Sequence, residues 1–473
     1  MGNTQSGESS GPLSRREFVR WLAAVPAAAA VGGAAHSVSA QSPAASAFDP
    51  SAAKIDWQQF KGHTIRVLGV QAFPANWQKD MLPEFEKLTG IKVVYEQLGE
   101  NQLHEKAVLE LSSRSSNFDL IWTGAFFVAR WLAGRQIVDL REYLDNPKLT
   151  DKAWYDYEDI YPSVRNALTA GNRIGAIPFD AVTHALFYRK DVFDKEGIKV
   201  PKTMDELEEV AKRLTKKSEN FYGISLRGAF LQIMFPAFPY TYGGGYLNDK
   251  FEPIINDPKS VAGTEKYVRL VREYAPIGSA TKIWSDVLED FRGGLSAMLI
   301  DTFGFTPQFE VKDQSKVVGK VGVADVPGLT ADKPGESGYW TWCVVMNALA
   351  KEKGPAWLYM QWASSKKTAL QFALRRWVTA RKWVTEQKEW QNEVKPKNFG
   401  QWHDVFLSGI QRARPDYLVT SKGGRPIPEA EEILKTVAIE VSAAIAGQKT
   451  AKQGCEDAAK AIRSSMERAG YYR

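Results

Sequence analysis

The sequence predicts an α/β protein of at least two lobes built on parallel-rich sheets, and three observations carry that expectation. At 473 residues the chain is longer than one ordinary hydrophobic core accommodates. Its 44% hydrophobic and 25% charged residues are the values of a globular protein rather than a disordered one. Beyond roughly the first fifty residues, strand-like and helix-like segments alternate, the order expected of sheets covered by helices.

The elements follow in order. "TIRVLGV", residues 64–70, is a strand, and Trp77, Met81, Leu82, Phe85 and Leu88 then fall at helical spacing until Gly90 stops them. "IKVVYEQL" is a strand, "LHEKAVLELSSR" a helix, "FDLIW" a strand and "GAFFVARWLAG" a helix closed by Gly134. "HALFYRK" is the next strand. In "PKTMDELEEVAKRLTKK", Thr203 and Glu206 form a capping box, and Met204, Leu207, Val210, Ala211 and Leu214 form a buried stripe. "YGISLRG" is expected as a strand and "SVAGTEKYVRLVREYAP" as a helix. "LSAMLID", "KVGVADVP" and "WTWCVVMN" read as strands, "GPAWLYMQWASSKKTALQFALRR" as one long helix, and the tail as two helices.

The N-terminus reads as an address. Arg15-Arg16 precede Phe18 and Val19, an apolar segment runs from Trp21 to Ala35, and "VSA" ends at Ala40. That run falls short of the ~20 residues of a spanning helix and is interrupted by Pro26 and Gly32-Gly33. Residues 1–40 are therefore expected to be a twin-arginine (Tat) signal peptide, with Ala47 as a later cleavage alternative, and 41–56 a flexible lead-in. The mature chain is expected in the periplasm. A Tat substrate folds before it crosses, in a reducing compartment, so Cys343 and Cys455 are expected as free thiols despite export.

Several function classes are disfavoured. A net charge of +6 with no basic arm argues against nucleic-acid binding. The five histidines, His36, His63, His104, His184 and His403, show no metal spacing. No Walker loop, dinucleotide fingerprint or nucleophile elbow occurs, and "YGGGYL" lacks the Lys-Ser/Thr of a phosphate loop. No metal or cofactor is expected. Asp156 and Glu158 are the kind of carboxylate pair a glycosidase uses, and a secreted carbohydrate-active hydrolase or lyase is the rival reading.

"GAIPFDAVTHALFYRKDVFDKEGIKVPKTMDELEEVAKRLT", residues 175–215, resembles the signature of family 1 extracellular solute-binding proteins of ABC importers. Its parts are Pro178-Phe179-Asp180, Tyr188-Arg189, Gly197-Ile198 and Pro201-Lys202-Thr203, followed in order by "GGLSAMLID", the aromatic strand at 338–347 and the helix from Gly354. The resemblance covers roughly residues 60–450 and implies a two-lobed periplasmic-binding-protein fold of type II-like organisation. It implies lobes of 57–187 plus 326–377 and of 188–325 plus 378–473. Crossings are then expected near His184–Tyr188, Asp325–Pro327 and Val378–Ala380. A monomeric receptor of this kind holds a sugar or sugar alcohol between its lobes and delivers it to an inner-membrane ABC permease without transforming it. A receptor or sensor for another small solute, such as a phosphate ester, is the alternative within the same fold.

Hydroxyl-rich ligands call for aromatic faces against C–H groups and for charged or amide partners to the hydroxyls. On the first lobe the candidates are Phe73, Trp122 and Thr123, with Trp77 beside them, and in the turn before the crossing Phe179 and Asp180. On the second lobe they are Arg227, Tyr242 and Asp301, with His184 and Arg376 near crossings. In "SGYWTWCVVMN" the run Val344–Met346 is core, while Tyr339, Trp340 and Trp342 at the strand's entrance are the platform candidates. Asp301 has a turn or cap as its competing role, and Trp77 the core. Replacing Asp301 or Arg227 by alanine is expected to weaken binding and leave the stability of the ligand-free protein nearly unchanged.

Overall fold

The computed structural model describes residues 48–375, 377–394, 402–420 and 425–472. The expected signal peptide lies outside the described residues. Among these residues no helix is long and apolar enough to cross a membrane.

Among the described residues eleven strands build the sheets: β1 (Thr64–Val70), β2 (Lys92–Leu98), β3 (Leu120–Gly124), β4 (Thr169–Ala170), β5 (Arg173–Ile174), β6 (Ile177–Pro178), β7 (Val182–Arg189), β8 (Met298–Thr302), β9 (Val321–Ala324), β10 (Tyr339–Trp340) and β11 (Trp342–Met346). The first lobe holds a five-stranded sheet in the order β2-β1-β3-β11-β6. β2 and β3 run parallel to β1, whereas β11 runs antiparallel to β3 and β6. Every residue of β3 and β11 is buried, the pattern of strands covered on both faces.

The second lobe is organised around β7, which pairs antiparallel with β8, β9 and β10. The expectation of a parallel-rich sheet there is corrected to a mixed one. "YGISLRG" adds only parallel bridges, Tyr222 to Ser296 and Ser225 to Leu299, beside the β8 region. Gly223 lies against the Ala211 backbone and Gly228 against Ser279 and Ala280, so neither position has room for a side chain.

The chain changes sheets between β6 and β7, at residues 179–181, ahead of the segment His184–Tyr188 in which the first crossing was expected. The physical reason is that Val182 already pairs with Trp340 and His184 with Thr302 of the second lobe. It returns at Thr341: Trp340 pairs with Val182 in one sheet, and Trp342 with Gly124 in the other. The expected strand "WTWCVVMN" is thus two short strands joined across the lobes.

Local chemistry sets the rest. Thr203 accepts the Glu206 N–H at 3.1 Å while the Glu206 carboxylate takes the Thr203 N–H at 3.2 Å, a complete capping box. The expected long helix after β11 breaks into Lys353–Ala363 and Lys366–Ala373, because the Ser365 hydroxyl accepts the Thr368 N–H and starts a second helix. Residues 48–56, counted in the flexible lead-in, are docked: Asp49 pairs with Lys367 at 2.8 Å, and the Asp49 and Pro50 carbonyls accept the Trp154 and Trp57 indoles. Cys343 and Cys455 are free and buried.

Candidate ligand-binding cleft

The loops at the sheet ends and the crossing segments line a small, partly open cavity of about 60 Å³. From the first lobe Ala72, just past β1, and Glu100, just past β2, reach its wall. The crossing segments supply Val182, Trp340, Trp342 and Trp377. From the second lobe come Arg227, Ile233, Trp284 and the Thr302–Phe305 turn after β8.

Trp340 and Trp342 stand on either side of the sheet change, their rings 5.4 Å apart and nearly perpendicular at 89°. Trp340 also packs on Phe126 at 5.0 Å. Its place depends on Gly124, where a Cβ would lie 1.9 Å from the Trp340 ring. Behind Trp342 lies Trp122 at 6.4 Å, which in turn packs on Phe179 at 4.3 Å. Trp122, Thr123 and Phe179 are therefore a buried layer backing the platform, and none of them borders the cavity.

Asp180 is fully buried among the crossings. One carboxylate oxygen accepts the Trp342 N–H at 2.8 Å and the other the Trp377 indole N–H at 3.1 Å. Its own carbonyl accepts the Thr341 hydroxyl at 2.6 Å. Burial raises its pKa to about 7 against these three donors. With both oxygens engaged, Asp180 joins three chain segments where they pass between lobes and does not border the cavity.

Arg227 and Asp301 form a bidentate pair, Nε to Oδ2 at 2.7 Å and Nη2 to Oδ1 at 2.5 Å, with side chains 3% and 0% exposed. The expectation that either could be removed at no cost to stability is reversed: deleting one partner strands a charge in the interior. Arg227 Nη1, by contrast, is buried without a hydrogen-bond partner, and Arg227 borders the cavity. Across the cavity Glu100 accepts the Trp284 indole N–H at 2.8 Å, a bond between the lobes. Burial pushes the Glu100 carboxyl up to about 7, opposed by the Arg227 charge and the indole. Next to Arg227, His184 is fully buried with neither ring nitrogen hydrogen-bonded, and burial together with the Arg227 charge holds it well below the usual histidine range.

Tyr242 is elsewhere. It caps the helix Ala237–Thr241, and the charges that act on it are Lys266, Asp205, Arg269 and Glu208. Phe73 begins the helix Phe73–Asp80 directly after Ala72, and Tyr339 pairs with Thr183. Arg376 lies outside the described residues. Trp77 packs on Trp377 at 6.1 Å and on Phe372. The Asp156 and Glu158 carboxylates are taken up in ion pairs with Lys366 and Arg165, and no cluster of three metal-ligating side chains occurs among the described residues.

Glu100, Trp284, Trp377 and Phe305 went unnamed as candidates in the sequence. The rule that placed Trp122 and Arg227, a position just past a strand, also fits Glu100. Trp284 opens a helix and carries no comparable signal.

The sequence profile of the bacterial extracellular solute-binding proteins matches residues 70–370. The chain belongs to that family. Its members are receptors, and the two-lobed fold with a cleft between sheets is theirs. This solute-binding protein is 29% identical over 334 residues to the erythritol/L-threitol-binding protein of Mycolicibacterium smegmatis, covering 66% of this chain and 69% of that one. It is 26% identical over 392 residues to the mannitol-binding protein of Pseudomonas aeruginosa, covering 79% and 86%. An ABC transporter solute-binding protein from Agrobacterium radiobacter, solved in complex with ribitol, superposes with a TM-score of 0.76 at 25% identity, covering 85% of this chain and 99% of that one.

Proposed function

We propose that this solute-binding protein captures a small, neutral sugar alcohol in the cleft and hands it, as a monomer, to an ABC permease. The observation that carries the reading is the pairing of chemistries around one cavity: the Trp340/Trp342 corner on one side, the Arg227 and Glu100 groups on the other. An acyclic polyol offers C–H groups to the aromatic faces and hydroxyls to a guanidinium donor and a carboxylate acceptor. Neutral solutes are favoured because Asp301 already balances Arg227, and Glu100 adds a further acidic group. The names of the related proteins, which bind erythritol or threitol, mannitol and ribitol, support the same class. Capture belongs outside the cytoplasm, and the Arg15-Arg16 leader supports export to the periplasm by the twin-arginine route.

In this reading Trp340, Trp342, Arg227 and Glu100 touch the ligand, whereas Asp180 and Asp301 position them. A thermal-shift series against erythritol, ribitol, mannitol, maltose and glycerol phosphate tests it. A polyol at a hundredfold excess over its dissociation constant stabilises the protein by about 2.7 kcal/mol. A shift with the anionic ester alone refutes the polyol reading, and conversion of any solute to product refutes the receptor.

A further inference from the structure

A second, more open cavity, of about 390 Å³, lies next to the first. The two share Glu100 and Trp284 as a wall. Their linings differ in kind. The inner chamber is aromatic, with Arg227 and Glu100 as its charged groups, whereas the outer one sets Gln71, Asn101, Gln102 and Ser285 beside the apolar Phe230 and Ile283. Such amides and hydroxyls are the partners that sugar hydroxyls take. The wall between them is a single hydrogen bond at 2.8 Å from Trp284 Nε1 to Glu100 Oε2, joining residues 184 positions apart on opposite lobes. Trp284 leans on Phe305 at 6.2 Å and 33°, so its ring extends the aromatic lining up to the bond.

We propose that the Trp284–Glu100 pair is the size-selecting gate of the cleft. Closed, it confines the ligand to one acyclic polyol in the inner chamber. With Trp284 cut back, the chambers join, and the outer one receives the sugar ring of a disaccharide alcohol whose acyclic half fills the inner one. The proposal rests on the polyol reading above and adds to it the residue that sets the upper size limit. Trp284 is a partly exposed residue at a helix start, so its replacement leaves the core intact.

The test uses the full-length mature protein and two variants, Trp284→Phe and Trp284→Ala, each checked for an unchanged unfolding profile. Dissociation constants and release rates are measured for ribitol, mannitol and maltitol. Wild type takes the polyols and excludes maltitol. Trp284→Phe keeps a ring in the gate but lacks the N–H, so it retains the selectivity and releases polyol roughly threefold to tenfold faster, as expected for one lost hydrogen bond. Trp284→Ala loses polyol affinity and gains maltitol binding. Wild type binding maltitol as tightly as mannitol overturns the gate, as does Trp284→Ala without any gain for maltitol, or Trp284→Phe with an unchanged release rate. A wild type that binds none of the three overturns the polyol reading itself and the gate with it.

Discussion

Asp301→Asn replaces a carboxylate by an amide of nearly the same shape and leaves the Arg227 guanidinium charged in an interior where it is 3% exposed. Two charge-assisted bonds, at 2.7 and 2.5 Å, become weak or reversed contacts. Removing one member of a buried pair costs about 3–5 kcal/mol, because the desolvated partner keeps its charge. Against a total stability of about 5–15 kcal/mol that is a large share. At roughly 2–4 °C per kcal/mol for a domain-sized unit, the midpoint falls on the order of 10 °C. The assay is calorimetric unfolding of the ligand-free protein, alongside the double variant Arg227→Met/Asp301→Leu. Replacing the pair by apolar side chains of similar volume restores most of the stability, yet polyol affinity stays lost, since Arg227 Nη1 is gone. An Asp301→Asn midpoint within about 2 °C of wild type refutes the reasoning, because a buried pair so close to solvent-like behaviour costs under ~1 kcal/mol.

Three further outcomes are expected. Glu100 and Asp180 hold their protons up to about 7 in the folded protein but release them lower when unfolded, so the native state binds more protons in between. Stability therefore falls as pH rises from about 5 to about 8, by on the order of 2 kcal/mol per group. Glu100→Gln flattens the decline; a wild-type midpoint that rises across that window refutes the assignment. Gly124→Ala drives a methyl into the Trp340 ring, where the Cβ would stand 1.9 Å away. Overpacking of this kind costs about 1–3 kcal/mol, and displacement of Trp340 lowers polyol affinity; unchanged affinity and midpoint refute the platform's dependence on that glycine. Burial raises the Cys343 thiol well above the ordinary cysteine range and the Cys455 thiol to about 11. Both thiols are therefore inert to an aromatic disulfide reagent in the native protein and titrate on unfolding; rapid native labelling contradicts this.

What was legible in the sequence was local. Period and capping located β1 to β3, the helix Met204–Leu214 and the paired tryptophans, because those signals are carried within a few neighbouring residues. Arg227 was found by its position after a strand-like run. The role of Asp180 was not legible, since its partners Trp342 and Trp377 are 162 and 197 residues away. The same applies to Asp301, whose partner is 74 residues distant and whose ending of an apolar strand looked like a turn signal. Mixed pairing in the second lobe was missed because strand direction depends on connections, and an alternation of elements records only their kinds.

The knot of hydrogen bonds at Asp180 also acts as a fulcrum. A rigid rotation displaces each atom in proportion to its distance from the axis, so for lobes turning about that knot Trp342, whose N–H is bonded into it, and Trp340, two residues away, move little. The Trp284 indole is not part of that knot; its bond is to Glu100 of the other lobe, so it parts from its partner when the lobes separate. A solute thus meets the same aromatic corner whether the jaws are apart or together, and is weighed there before it is sealed in. Contact with the Trp340/Trp342 corner is then loading, and the Trp284–Glu100 bond is sealing, two successive events placed on different residues of one cleft.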